Sequence, residues 1–215
     1  EGKWIAVVAE ALGTQMPIEE CFEGDVNLEI EHSGKVKFTI DNDKGTGKLA
    51  KKDEKTVLKI EGEEMSVTLD GDTLTLDDLL GQGVNIIFGR EGTDATNPEN
   101  YLSEDELAVI GEWYSENVKE LLDEEAQTTL DGVDNINDAM RLNFAKDRTV
   151  QVIYKGAELG TYPWSALYGY YAIEMDDEAP ENVLITMEED GSLSVQYSDE
   201  DDYLTFKCVK SAGEE

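Results

Sequence analysis

The sequence predicts an all-β protein made of two tandem, small eight-stranded antiparallel barrels joined by a short linker with a short helix. Three observations predict it. Apolar and polar residues alternate at period two along most of the chain. Tight-turn residues such as Asp70-Gly71-Asp72 separate the alternating runs. The same ordered pattern then returns a second time, which marks two homologous units, over 1–92 and 103–215, with 93–102 as the linker.

The elements follow in chain order. Gly2-Lys3-Trp4 opens a strand over 3–11. Val26, Leu28 and Ile30 alternate with Asn27, Glu29 and Glu31; after His32-Ser33-Gly34 the pattern resumes at Val36, Phe38 and Ile40. This is a hairpin with one face inward, over 26–31 and 35–41. Further strands lie near 46–50, 56–61, 65–70, 73–78 and 84–90. Antiparallel meanders of eight short strands close into barrels, which removes exposed edges. Gly92-Thr93-Asp94-Ala95-Thr96-Asn97-Pro98 is polar and turn-rich, as a linker should be. Ser103 with Glu106 makes a capping box. Leu107, Ile110, Tyr114, Val118, Leu121 and Leu122 could continue that helix to 122. Gly111 and the β-formers around it favour a short helix over 103–109 and a strand from 111. Residues 120–138 form a long loop. The second unit then adds strands near 139–145, 149–155, 158–162, 168–174, 183–188, 193–198 and 203–209.

The recurrence is position by position. Met140, Leu142, Phe144, Val150, Val152 and Tyr154 follow Val26, Leu28, Ile30, Val36, Phe38 and Ile40 at a constant offset of 140 − 26 = 114. Ile185 and Met187 follow Val67 and Leu69 at 118, and Leu193 and Val195 follow Leu74 and Leu76 at 119. In the last strand Leu204 and Phe206 are matched to Ile86 and Phe88 at 118. Gly111-Glu112-Trp113 repeats Gly2-Lys3-Trp4 at 109.

Charge restricts the function. The chain has 17 basic and 50 acidic residues, a net charge of −33. That sign opposes nucleic acid and anionic membrane surfaces. The imbalance is uneven: residues 1–92 carry 10 − 20 = −10 and residues 93–215 carry 7 − 30 = −23. Within the first part, residues 35–59 hold Lys35, Lys37, Lys44, Lys48, Lys51, Lys52, Lys55 and Lys59 against four acids, 8 − 4 = +4. Solubilising lysines on strand faces and edges explain this, and so does a docking patch for an acidic partner. Two cysteines do not make a disulfide scaffold. Cys208 alternates in phase with Leu204 and Phe206 as a small buried residue.

Little points to catalysis. The one imidazole, His32, sits in a turn beside Ser33 and Gly34; a Ser–His or Cys–His arrangement would have to use it, and it reads instead as a solvated turn histidine. Gly45-Thr46-Gly47-Lys48 lacks the spacing of a phosphate loop, and no His or Cys cluster suits a transition metal. Asp41-Asn42-Asp43-Lys44-Gly45 begins like a calcium loop but places Lys52 where a bidentate Glu belongs. No cofactor or metal is therefore expected, and the chain reads as a non-enzyme. The informative local feature is aromatic: Tyr162, Trp164, Tyr168, Tyr170 and Tyr171 fall within ten residues. They either form a platform for a sugar ring or flat apolar ligand, or they fill the core of a small barrel.

Gly-x-Trp on the first strand of an eight-stranded meander resembles the lipocalin signature. In that family the Trp closes the barrel base and an Arg near the end of the last strand packs across it. Gly2, Trp4 and Arg90 match this pattern in the first unit, and Gly111 and Trp113 match it in the second. At the 118 offset the second unit has Cys208 in place of the Arg, with Lys207 or Lys210 as substitutes. More narrowly, the hairpin Leu142–Val152 and the ending Asp201–Phe206 resemble lipocalin-like lipoproteins of Gram-positive gut bacteria. The resemblance implies an extracellular, lipid-anchored surface protein, touching the membrane only through an anchor outside this chain, with no established activity. The opening at Glu1 fits a processed product. The expected role is non-catalytic binding of a small apolar or carbohydrate-like ligand. The alternative is a protein-interaction module whose barrels are filled and hold no ligand cavity.

Overall fold

The computed structural model describes residues 1–11, 14–41, 43–60, 62–120, 125–167, 169–173, 175, 182–199 and 202–212. The chain divides into two compact units, Glu1–Leu102 and Ser103–Glu215. Each is an antiparallel barrel, so the all-β, two-barrel prediction holds.

In the first unit, β1 (Gly2–Ala11), β3 (Val26–Ile30), β4 (Lys35–Ile40), β5 (Asp43–Lys52), β6 (Lys55–Ile60), β7 (Glu63–Asp70), β8 (Thr73–Leu76) and β9 (Val84–Arg90) pair in order, and β9 returns to β1 to close eight strands. The sequence did not announce β2 (Thr14–Pro17) or the single helical turn α1 (Ile18–Cys21). β2 lies beside the second half of β1, where β3 has ended: Gly2 to Ile5 pair with β3, and Val8 to Ala11 pair with β2. Alternation does its expected work. Trp4, Leu28, Ile30, Val36, Leu58, Ile60, Leu74, Leu76, Ile86 and Phe88 point inward and form one core.

In the second unit, α2 (Glu104–Val109) precedes β10 (Gly111–Glu120), β11 (Met140–Phe144), β12 (Thr149–Tyr154), β13 (Ala157–Leu167), β14 (Tyr170–Ile173), β15 (Asn182–Met187), β16 (Leu193–Ser198) and β17 (Tyr203–Lys210), which form a closed barrel. The capping box forms as read: Glu106 N–H donates to Ser103 Oγ at 3.2 Å, and Ser103 N–H donates to Glu106 Oε2 at 2.7 Å. The helix stops at Val109 and the strand starts at Gly111, so the longer-helix alternative is excluded.

The duplication extends to irregularities. The first strands carry a bulge at equivalent positions, between Ala6 and Val8 and between Ser115 and Asn117. Gly2 and Gly111 both hold φ +121°, a left-handed value that explains why the motif opens on glycine. The last strand is where the 118 offset fails. Trp4 is paired with Arg90 and Trp113 with Lys210, while Ala6 and Ser115 face Phe88 and Cys208. The true offset there is 210 − 90 = 120. Lys210, not Cys208, therefore stands at the Arg90 position. A period-two pattern looks the same after a slip of two, so alternation alone could not detect the error.

Residues 93–102 are ordered chain rather than a free tether. They form 3-10 turns at Asp94–Thr96 and Pro98–Tyr101 that pack on β1 and β9. Gly89 makes this close approach, since a Cβ there would lie 2.0 Å from the Ala95 carbonyl oxygen. Tyr101 Oη donates to that same oxygen at 2.7 Å. Cys21 and Cys208 are both free, and burial pushes the Cys208 thiol far up.

Candidate functional site

A small barrel can enclose a ligand at its ends or along its axis. At the base, Trp4 and Trp113 are almost fully buried. The Arg90 guanidinium lies 4.5 Å from the centre of the Trp4 ring, and the Lys210 ammonium lies 5.6 Å from that of Trp113. Arg90 thus lies over Trp4 in the first unit and Lys210 over Trp113 in the second, on strands that open at Gly2 and Gly111.

Barrel 2 has the fuller base. Its α2 carbonyls accept three hydrogen bonds: Val109 O from Trp113 Nε1 at 2.7 Å, Ala108 O from Lys210 Nζ at 2.9 Å, and Asp105 O from Tyr171 Oη at 3.0 Å. Beneath α2, Arg148 Nε donates to Glu106 Oε1 at 2.6 Å, with both side chains almost fully buried. In barrel 1, Arg90 reaches Asp72 Oδ1 and Glu1 O instead, and Trp4 Nε1 is buried with no partner among the described residues.

Among the described residues, the aromatic run is divided between the core and the surface. Trp164 and Tyr171 are 1% and 2% exposed and stack edge-on around Phe144. Burial raises the Tyr171 phenol to about 12. Tyr162 is half-buried and donates to Leu159 O, while Tyr170 is 53% exposed. Tyr168 lies outside the described residues. The expected shared face needed 162, 164, 168 and 170 in phase. Instead β13 runs on through Pro163 to Leu167, and Leu167 pairs with Tyr170 on β14. The phase changes between the two strands, so Trp164 on β13 and Tyr171 on β14 are buried while Tyr170 is exposed. The chain passes Pro163 without loss because β13 changes partner there, pairing with β12 up to Pro163 and with β14 from Trp164.

The opposite ends differ most. The mouth of barrel 2 is closed by Tyr154 and Tyr197, whose rings lie 4.1 Å apart. Tyr154 Oη donates to Asp202 Oδ2 at 2.6 Å, and Tyr197 Oη donates to Asp199 Oδ2 at 2.8 Å. Lys155 adds an ion pair to Asp202 at 2.9 Å. The Tyr154 hydrogen bond, then that of Lys155, holds the Asp202 carboxyl below its usual range.

In barrel 1 the position of Tyr154 is held by Ile40, and the position of Tyr197 by Asp78, which has left the strand at φ +53°. The smaller residues leave a cleft of about 340 Å³ lined by Phe38, Ile40, Ile60, Leu79 and Leu80, with Asp43 and Lys44 at the rim. Its floor is the barrel core. Its wall is the 77–83 loop, where Asp78 Oδ1 accepts from Gly83 N–H at 2.7 Å and Leu80 is held at φ +49°. A left-handed leucine costs about 1–3 kcal/mol and persists only where its surroundings hold it. Leu80 is also 44% exposed, a large apolar side chain presented at the opening.

No protein-family model and no curated protein matches the chain. Among solved structures it is similar to a protein of unknown function from the DUF3598 family of Nostoc punctiforme PCC 73102, at 12% identity, over 96% of this chain and 93% of that one. The TM-score is 0.28, too low to argue fold or function from it.

Clefts lined by described residues also lie on outer walls, among them about 560 Å³ beside Asn117 and Lys207, about 300 Å³ beside Arg141 and Asn143, and about 390 Å³ between α1 and β3. None of these three is lined by the aromatic run. Among the described residues no group of three or more His, Cys, Asp or Glu side chains could hold a metal ion. His32 is exposed, with Nδ1 2.9 Å from Glu1 Oε2. Sequence reading missed Phe38, Ile40, Ile60, Leu79 and Leu80 as a site. The signal was present in the repeat itself, which sets Ile40 against Tyr154.

Proposed function

We propose that the protein is a non-catalytic binder of a small apolar ligand, displayed at the cell surface through a lipid anchor, and that the ligand enters the mouth of barrel 1 rather than the aromatic run of barrel 2. One observation carries this reading: the apolar cleft opens where barrel 1 has Ile40 and barrel 2 has Tyr154. Its volume lies at the small end of ligand pockets, and its lining is apolar with two rim charges, the composition such pockets show. The surface location is supported by the resemblance to lipocalin-like lipoproteins. The same comparison favours a different role for barrel 2. Its interior is packed with Trp164, Tyr171, Phe144, Met140 and Phe206, and its mouth is closed, which suits a filled interaction or scaffold module.

The test is an Ile40→Tyr variant that copies barrel 2. Titration with the neutral fluorophore phenylnaphthylamine should show saturable binding to the parent chain and none to the variant. Equal binding by both would remove the mouth as the site. Native mass spectrometry of protein from its own source should show a retained apolar molecule.

A further inference from the structure

The lysine-rich segment of barrel 1 gains a meaning from register that composition could not supply. Lys35 on β4 faces Lys48 on β5, and Lys48 faces Lys59 on β6, so three lysines stand directly opposite one another across three neighbouring strands. Lys52 faces Lys55 in the same way. Alternation puts Lys37 and Lys44 on this outer wall too. Like charges directly opposite in a sheet are destabilising.

Neither bland explanation survives. Edge protection does not apply, because β4, β5 and β6 are interior strands of a closed barrel. Solubility does not need it, because the chain already carries −33. Acids placed between the lysines would both solubilise and stabilise. Compensation is partial: Lys37 pairs with Glu29 and Glu31, and Lys52 and Lys59 share Glu64. Lys35, Lys44, Lys48 and Lys55 make no ion pair among the described residues. The wall is also continuous with the cleft, because Lys44 belongs to both.

We infer that this wall docks barrel 1 onto an anionic lipid surface, with the lysines against the headgroups and Leu80 at the mouth meeting the acyl region. The join of uncompensated cations to an exposed apolar rim selects a lipid surface over a soluble polyanion, which would use the lysines and ignore Leu80. Lysine suits mobile phosphates better than the bidentate carboxylate recognition that arginine serves. The net charge of −33 does not forbid the contact. At physiological salt the screening length is about 8 Å, so at contact the membrane meets the local face and not the distant acids. The choice of lipid rests on the mouth being an apolar site; the lysine wall does not.

The experiment is flotation of the full chain with phosphatidylcholine vesicles, with and without about a quarter phosphatidylglycerol. Binding is expected only with the anionic lipid and is lost in high salt. Lys35→Gln with Lys48→Gln should weaken it about 30-fold, at roughly a factor of five per lysine near the surface. These two residues hold no ion pair among the described residues, so the variant keeps its fold. Leu80→Ser should weaken it several-fold further. Equal binding to both vesicle types, or no loss in the double variant, overturns the inference. Displacement by inorganic polyphosphate with no effect of Leu80→Ser would assign the wall to a soluble polyanion and overturn it as well. Ile40→Tyr separates the two proposals: it should abolish phenylnaphthylamine binding and leave flotation intact.

Discussion

Single residues show how one motif is satisfied in two ways. Trp113 Nε1 donates to Val109 O, whereas Trp4 Nε1 is buried with no acceptor among the described residues. Either indole buries about 150–250 Å², worth about 4–6 kcal/mol as an upper bound. Replacement by Phe keeps most of that contact and removes the N–H. Trp113→Phe should therefore cost about 1–2 kcal/mol more than Trp4→Phe, because only the former strands a buried carbonyl. Hydrogen exchange read separately in the two units would measure the difference, and equal losses would mean that Val109 O finds another donor. Glu106 bears a heavier duty. It caps α2 through the Ser103 N–H and neutralises buried Arg148. Glu106→Gln leaves that guanidinium uncompensated and should destabilise barrel 2 by about 3–5 kcal/mol in urea titration. Glu106→Leu with Arg148→Met should recover much of the loss.

Elements were legible to the extent that their signals are local. The capping box located α2, and alternation located nearly every strand, because both depend on neighbours a few residues away. What stayed hidden depends on pairing: the offset of 120 in β17, the change of phase between β13 and β14, and the packing of 94–101 onto β9. The last turns on one glycine. Gly89→Ala would push a methyl into the Ala95 carbonyl, so it should release residues 94–101 and speed their amide exchange while β9 stays protected. The mouth of barrel 2 adds a pH response. The carboxyl of Asp202 is held below its usual value by Tyr154 and Lys155, and an unfolded aspartate titrates near about 3.9. Its contribution is thus complete above that value and lost as pH falls through the lower folded-state pKa. Acidification below about pH 4 should loosen 149–155 and 202–210 first. Tyr154→Phe should make that loss shallower, and exchange at a series of pH values would show it.

At the scale of the molecule, two copies of one fold differ at their mouths, and substitutions at equivalent positions account for it. Ile40 in place of Tyr154 opens one mouth, and the helix α2 with Trp164 and Tyr171 fills the other copy. The sequence alone revealed the duplication but not this divergence, because a cavity is decided by which inward positions meet in space. The lysine wall makes the cost of function measurable. Lys48→Glu sets a carboxylate between Lys35 and Lys59, two favourable cross-strand pairs in place of two repulsive ones. Each such pair is worth roughly 0.2–1 kcal/mol, so barrel 1 should become more stable by about 1 kcal/mol in urea titration. The same change should abolish flotation with anionic vesicles. A face optimised only for folding would have adopted that carboxylate. A variant that is more stable and still floats would show that the lysines serve neither stability nor lipid docking.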